Sequence, residues 1–105
     1  SMKVAVENFK MIDKNTKTVI LGDMFELGAT GLEEHQAIVD IVEKLGFDNA
    51  YFVGELFFKT KATSMLFKNF EELFTKLKTN PLKNQSILIK GSRGMQLERL
   101  LEVIN

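Results

Sequence analysis

The sequence predicts an α/β domain with a Rossmann-like, mostly parallel sheet and helices on both faces of that sheet. Short apolar runs that end in glycine alternate with stretches of helical periodicity along the chain. Parallel neighbours in a sheet need crossover connections, and helices usually form them. With 105 residues, of which 45% are hydrophobic, the chain has the size of one globular domain. We therefore assign residues 1–105 to a single domain.

The first predicted elements are a helix and a strand. Met2, Ala5, Phe9 and Ile12 recur at helical spacing, which predicts an amphipathic helix at the start of the chain. Residues 18–21 form a continuous apolar run that is partly β-branched and is followed by glycine. Such a run is typical of a strand that is buried on both faces, so we expect it in the middle of the sheet.

A second helix is predicted after a loop that contains two glycines. Thr30 and Glu33 have the spacing of a capping box, which predicts where this helix begins. Gly46 follows the last apolar position and predicts its end. The apolar stripe of this helix consists of Ile38, Val42 and Leu45.

The second half of the chain predicts three more strands with helices between them. Strands are expected at residues 50–53, 65–67 and 86–89. A short helix is expected over residues 55–61, and Asn69 with Glu72 has the spacing of another capped start. A closing helix is predicted from a final apolar stripe that contains Leu97, Leu100, Leu101 and Ile104.

The composition excludes several classes of protein. Fourteen basic residues balance fourteen scattered acidic ones, so a nucleic-acid partner is not expected. No apolar run reaches the roughly 20 residues of a membrane span, so we expect no membrane partner and a cytoplasmic location. The absence of cysteine excludes disulfides and thiolate sites, and with a single histidine no metal site is expected.

Three glycine-containing segments are predicted to meet at one edge of the sheet. They follow the first, second and last long strands, at residues 22–28, 54–55 and 90–94. Ligands of open α/β sheets bind outside the carboxyl ends of the strands. This edge is therefore the candidate site.

The last of these segments predicts an anion site. Glycines at the start of a helix let backbone N–H groups face a ligand, and an arginine fork suits a carboxylate or a phosphate. The alternative is that the glycines only form a tight turn and that both cations are solvated. The segment lacks the spacing of a P-loop or a dinucleotide-binding fingerprint. The candidate substrate-binding residues here are Lys90, Gly91, Ser92, Arg93 and Gly94.

Three further candidates are Asp23, Glu26 and His35. The two acidic residues could hold an amine, pair with Lys90 or Arg93, or orient a partner domain. Alternatively, Asp23 caps a turn and Glu26 is solvated. His35 shares the stripe of the second helix, where a satisfied and partly buried histidine is favoured over a proton carrier or ligand.

Three segments together resemble a known family. Residues 19–28 have the sequence VILGDMFELG, residues 51–55 have YFVGE, and residues 89–95 have IKGSRGM. In this order and spacing they resemble the C-terminal domain of the Mur ligases, the amide-forming enzymes of bacterial peptidoglycan synthesis. The resemblance covers nearly the whole chain.

The resemblance implies a segment of a larger three-domain ligase that uses ATP and Mg and adds D-alanyl-D-alanine to UDP-N-acetylmuramoyl-tripeptide. The family's phosphate-binding loop, carbamylated lysine and metal ligands belong to a central domain, so this chain is expected to supply no catalytic residue. By itself it is expected to bind no cofactor and to be inactive. The resemblance also implies that the domain closes the active site and helps bind the dipeptide, whose carboxylate would meet residues 90–94.

Two alternatives from other classes remain at this point. A receiver-type signalling module is suggested by Asp23 after a strand and Lys90 near the last strand, although no acidic pair follows an earlier strand. A stand-alone Rossmann-like interaction module is suggested by Phe57 and Phe58, which cannot both point inward from one helix. One of these two rings is expected on the surface, where it would contact another domain or partner.

Overall fold

The computed structural model describes residues 1–104, which form four strands, four α-helices and three short 3-10 helices. The helices are α1 (Met2–Met11), α2 (Gly31–Leu45), α3 (Glu55–Phe58) and α4 (Phe70–Thr79). The strands are β1 (Lys17–Gly22), β2 (Asn49–Val53), β3 (Met65–Phe67) and β4 (Ser86–Lys90). The 3-10 helices are Gly28–Thr30, Arg93–Met95 and Leu97–Glu102.

The four strands form one parallel sheet in the order β3-β2-β1-β4. The predicted fold class is therefore confirmed. β1 is paired on both sides, and all six of its residues are buried, as predicted for a central strand. The predicted third strand matches β3 residue for residue.

Helices cover both faces of the sheet, as predicted. Successive residues of a strand point to opposite faces. In β1, Val19 and Leu21 join a core that also contains Val6 of α1 and Val39 of α2. Ile20 joins the second core, on the other face. That second core is completed by residues of α4 and of the C-terminal 3-10 helix, among them Leu73, Leu77, Leu97 and Leu100.

Some of the predicted helix starts and ends are confirmed and others are wrong. Gly46 ends α2 in a left-handed conformation with φ 73°, as predicted. The prediction of a capping box at the start of α2 is wrong, because Thr30 makes no capping bond to the helix. Its hydroxyl instead donates a 3.2 Å hydrogen bond to Glu34 Oε2. Asn69 does cap α4, since its side chain accepts a hydrogen bond from the amide of Glu72.

Two other helix predictions are wrong in extent. α1 ends at Met11, so Ile12 is 60% exposed and does not continue the apolar face. α3 is shorter than predicted and ends at Phe58, where the amides of Lys59 and Thr60 close the turn.

The predicted closing helix is also wrong, because the chain forms two 3-10 helices there. Gln96 separates them in a left-handed conformation with φ 51°. A 3-10 helix has three residues per turn, so Leu97 and Leu100 share one buried face. Leu101, which an α-helical stripe would bury, is 63% exposed.

No helix in the described part of the chain is both long enough and apolar enough to cross a membrane.

Candidate functional site

The loops after β1 and β4 lie together at the carboxyl edge of the sheet. The amide of Ser92 donates a 3.0 Å hydrogen bond to the carbonyl of Asp23. The hydroxyl of Ser92 accepts a 2.7 Å bond from the amide of Phe25. The structure therefore brings together two of the segments that the sequence analysis had placed at this edge.

Two glycines make this close approach possible. A Cβ atom on Gly91 would lie 3.0 Å from the Cα of Gly22, and a Cβ on Gly94 would lie 2.7 Å from the Phe25 ring. Neither Gly91 nor Gly94 has a positive φ. Their role in the structure is therefore close packing between the two loops.

Lys90 and Arg93 are exposed beside a cleft with a volume of about 370 Å³. We call this the outer cleft; it is lined by Ile89, Lys90, Gly91, Ser92, Arg93, Leu97, Glu98 and Leu101. Within residues 1–104 neither cation forms an ion pair. The expected α-helix N-terminus is absent here, because Arg93–Met95 is a three-residue 3-10 helix. An anion site at this cleft would therefore depend on the two side-chain charges.

Asp23 is buried, with 3% of its surface exposed, and it caps α3. Its Oδ2 accepts a 2.8 Å hydrogen bond from the amide of Leu56, and its Oδ1 accepts a 2.9 Å bond from the amide of Phe57. It forms no ion pair with Lys90 or Arg93, so that expectation is wrong. The alternative interpretation placed Asp23 as the cap of a turn, whereas in the structure it caps the start of α3.

Gly54 lies directly against this carboxylate. Its φ is 130°, and a Cβ atom there would lie 2.3 Å from Asp23 Cγ. Both the conformation and the contact require glycine. Gly54 therefore gives Asp23 access to the amides at the start of α3.

His35 is completely buried beneath the loop after β1, not partly buried as expected. Its Nε2 accepts a 3.0 Å hydrogen bond from the amide of Met24, so the proton of the neutral ring lies on Nδ1, 2.6 Å from the carbonyl of Gly31. Nε2 also lies 3.8 Å from Asp23 Oδ1, and the ring meets Phe57 edge to face. Both ring nitrogens therefore have hydrogen-bond partners, as the interpretation favoured for this histidine predicted.

Glu26 lies on the exposed surface of the same loop. Its φ of 64° is unusual for a residue other than glycine. Within residues 1–104 its carboxylate forms no ion pair. It is solvated, as the alternative interpretation stated.

A second cleft at this edge was missed by the sequence analysis. We call it the inner cleft; it has a volume of 280 Å³. Its key residue is Arg99, whose guanidinium carbon lies 3.7 Å from the centroid of the Phe70 ring. Nothing in the sequence pairs these two residues, because only the folded chain brings them together. The lining consists of Asp23, Phe25, Gly54, Glu55, Lys68, Asn69, Phe70, Glu71, Gly94, Met95 and Arg99.

Among the described residues, no group of three or more histidine and acidic side chains is arranged to hold a metal ion.

Phe57 is buried and the neighbouring Phe58 is 46% exposed, so one ring points outward as predicted.

Sequence comparisons relate the chain to bacterial ligases. No protein-family model matches it. It is 34% identical to the UDP-N-acetylmuramoyl-tripeptide--D-alanyl-D-alanine ligase of Rickettsia prowazekii, over 97% of this chain and 24% of that ligase. It is 27% identical to the ligase of the same name from Borreliella burgdorferi, over 86% of this chain and 21% of that ligase. The chain thus spans about a quarter of the length of these relatives.

Solved structures share the fold. A MurF ligase from Thermotoga maritima, solved in complex with ADP, matches with a TM-score of 0.77 and 24% identity, over 97% of this chain and 24% of that one. A MurF structure from Acinetobacter baumannii matches with a TM-score of 0.69 and 25% identity, over 94% of this chain and 23% of that one. In both cases the match again covers about a quarter of the solved chain.

Proposed function

We propose that this chain is the C-terminal domain of a three-domain UDP-N-acetylmuramoyl-tripeptide--D-alanyl-D-alanine ligase, because it is homologous to about a quarter of the length of ligases with that name. The full enzyme would join D-alanyl-D-alanine to UDP-N-acetylmuramoyl-tripeptide with ATP and Mg. The homologues' names and the ADP in one neighbour support this proposal. Substrates of this kind imply that the full enzyme would act in the cytoplasm.

The proposed reaction has two steps. ATP transfers its terminal phosphoryl group to the tripeptide carboxylate, which gives an acyl phosphate and ADP. The amine of the dipeptide then attacks the acyl carbon, and the tetrahedral intermediate releases phosphate and forms the amide. We assign no catalytic residue and no bound cofactor to this chain, and we place the nucleotide and metal in the central domain, its partner in the same polypeptide.

The role proposed for this domain is closure over the active site and help in binding the dipeptide. The observation that carries it is the joined pair of loops at the carboxyl edge, which leaves Lys90 and Arg93 exposed without ion pairs among residues 1–104. Their charges would attract the carboxylate of D-alanyl-D-alanine. Gly91, Ser92 and Gly94 would hold the loop that carries them.

The three other candidates, Asp23, Glu26 and His35, would act differently from one another. Asp23 and His35 are buried with their polar atoms occupied, so they would position the loop and not touch the substrate. Glu26 is exposed on that loop and would face the substrate or the partner domain.

Phosphate release tests this proposal. The full-length protein should release phosphate only when ATP, the UDP-tripeptide and D-alanyl-D-alanine are all present. The purified 105-residue chain should release none under the same conditions. Turnover by the isolated chain, or a full-length protein whose phosphate release ignores the dipeptide, would contradict the proposal.

A stand-alone interaction module has one observation in its favour, the exposed ring of Phe58. If Phe58→Asp abolished binding of a partner while Arg93→Ala changed nothing, that function would be preferred. The receiver-type alternative has less support, because both carboxylate oxygens of Asp23 are occupied by backbone amides.

A further inference from the structure

The inner cleft holds an arginine that is fixed in place and has no acidic partner among residues 1–104. The guanidinium of Arg99 stacks on Phe70, with 3.7 Å between its carbon and the ring centroid. Its Nε donates a 2.8 Å hydrogen bond to the carbonyl of Gln96, and its Nη2 donates a 3.0 Å bond to the carbonyl of Met95. Stacking and two hydrogen bonds therefore hold the group in one orientation.

Among the described residues, the other edge of the guanidinium has no hydrogen-bond partner. Nε and Nη2 form one edge of the planar group, and both of them face carbonyl oxygens. The remaining edge, formed by Nη1 and Nη2, can still donate two parallel N–H bonds. Within residues 1–104 no carboxylate lies within ion-pair distance of Arg99, although Glu55 and Glu71 line the same cleft.

A free arginine edge of this kind fits a carboxylate. Two parallel N–H···O bonds match the spacing of the two carboxylate oxygens. Because Arg99 is already ordered, binding would not require further ordering of its side chain. Lys68, which also lines the cleft, adds a second positive charge.

The rest of the lining indicates what else the ligand carries. Glu55 and Glu71 are exposed carboxylates that could meet an ammonium group. Phe25 and Met95 offer apolar surface for small side chains. The volume of 280 Å³ lies just below the range for drug-sized ligands, so the ligand is small.

We propose that the inner cleft binds a small zwitterion, with its carboxylate on the free edge of Arg99 and its ammonium toward Glu55 or Glu71. On the proposed function, on which this identification rests, the zwitterion is D-alanyl-D-alanine. Lys90 and Arg93 then raise the positive potential at the neighbouring outer cleft, and Arg99 makes the bidentate contact.

Titrations of the isotopically labelled 105-residue chain, followed by NMR, test the site directly. The probes are D-alanyl-D-alanine, its C-terminal amide and its N-acetyl derivative. The dipeptide should shift the signals of the Gly94 amide and of the Arg99 Nε–H to saturation. The C-terminal amide should bind roughly tenfold or more weakly, because it cannot accept both charge-assisted bonds. The N-acetyl form, which lacks the ammonium, should also bind more weakly than the dipeptide.

A variant provides the second measurement. Arg99→Lys keeps the positive charge but loses the fork, and it should weaken dipeptide binding roughly tenfold. Lys44→Ala removes an exposed cation in the last turn of α2 and should leave binding unchanged. The proposal is overturned if the dipeptide and its amide bind equally, if acetylation has no effect, or if the shifts are confined to residues 90–93. Absence of any shift in the unmodified chain at tens of millimolar dipeptide would also overturn it.

These outcomes are separate from those for the proposed function. A full-length protein that makes the amide bond while the inner cleft ignores the dipeptide would refute only the role of Arg99. A chain that binds the dipeptide at Arg99 within a full-length protein that releases no phosphate would refute only the ligase assignment.

Discussion

The hydroxyl of Ser92 accepts a 2.7 Å hydrogen bond from the backbone amide of Phe25, and so joins the loop after β4 to the loop after β1. The two residues are 67 positions apart in the chain. Ser92 lines the outer cleft together with Lys90 and Arg93, and Phe25 lines the inner cleft. The joint therefore positions both parts of the candidate site.

Ser92→Ala should loosen this joint. Loss of the acceptor leaves the amide of Phe25 without its partner, and the free energy of unfolding should fall by about 1 kcal/mol. Hydrogen exchange at the Phe25 amide should become faster, as measured by NMR. Thr75→Ala, which removes an exposed hydroxyl from α4, is the matched control and should change neither quantity appreciably. Unchanged exchange at Phe25 in Ser92→Ala would show that the bond is unimportant.

Asp23→Asn should destabilise the fold. The carboxylate accepts bonds from two amides, whereas an asparagine side chain has one oxygen and would turn its NH₂ group toward a donor. The expected loss is about 1 to 3 kcal/mol in urea denaturation. Asp40→Asn changes an exposed residue of α2 and should be nearly neutral. Equal stability of the two variants would contradict the capping role.

Gly54→Ala and Gly28→Ala should differ strongly, although both residues have positive φ. At Gly28 a Cβ atom meets nothing within 4 Å, so only backbone strain of about 1 kcal/mol is expected. At Gly54 the same atom collides with the Asp23 carboxylate, and the loss should exceed about 3 kcal/mol or prevent folding. Melting temperatures and soluble yields measure the difference. Similar values for the two variants would rule out the collision.

Glu43 should make stability depend on pH. Burial raises the pKa of its carboxyl, but hydrogen bonds from the amides and hydroxyls of Ser64 and Thr63 outweigh burial, and the net pKa lies below its usual value. A lowered pKa contributes stability above the unfolded-state pKa, and this contribution is lost as the pH falls through the folded-state pKa.

Glu43→Ala should therefore lower the free energy of unfolding near neutral pH by about 1 kcal/mol, a modest value because the group is partly solvated. The difference from the unmodified chain should shrink at pH values below the folded-state pKa. Urea denaturation at neutral and acidic pH measures both quantities. Glu7→Ala, on the exposed side of α1, is the control, and a difference that persisted in acid would contradict the assignment.

The fold was predictable because its signals are local. Short apolar runs located all four strands, with glycine at or just after the end of three of them, and parallel pairing followed from their alternation with helices. The closing helix was mispredicted because Leu97 and Leu100 are three residues apart, a spacing that α and 3-10 helices share. Only the left-handed Gln96 and the tertiary packing distinguish the two.

The candidate site was predictable in its location but not in its contacts. Residues 22–28 and 90–94 meet at one edge because parallel strands end together. The capping of α3 by Asp23 spans more than thirty positions, and the stacking of Arg99 on Phe70 spans nearly as many. Contacts of that range depend on how the elements pack, and no local pattern reports them.

The most direct test of the proposed role is the KM for D-alanyl-D-alanine of the full-length ligase that carries Arg93→Ala, with ATP and the UDP-tripeptide saturating. Loss of this exposed charge should raise that KM by roughly threefold to tenfold and leave the KM values for the other two substrates unchanged. Lys44→Ala, which removes a cation from the end of α2, should leave all three KM values unchanged. An unaltered KM and turnover in Arg93→Ala would contradict the claim that this edge of the domain binds the dipeptide.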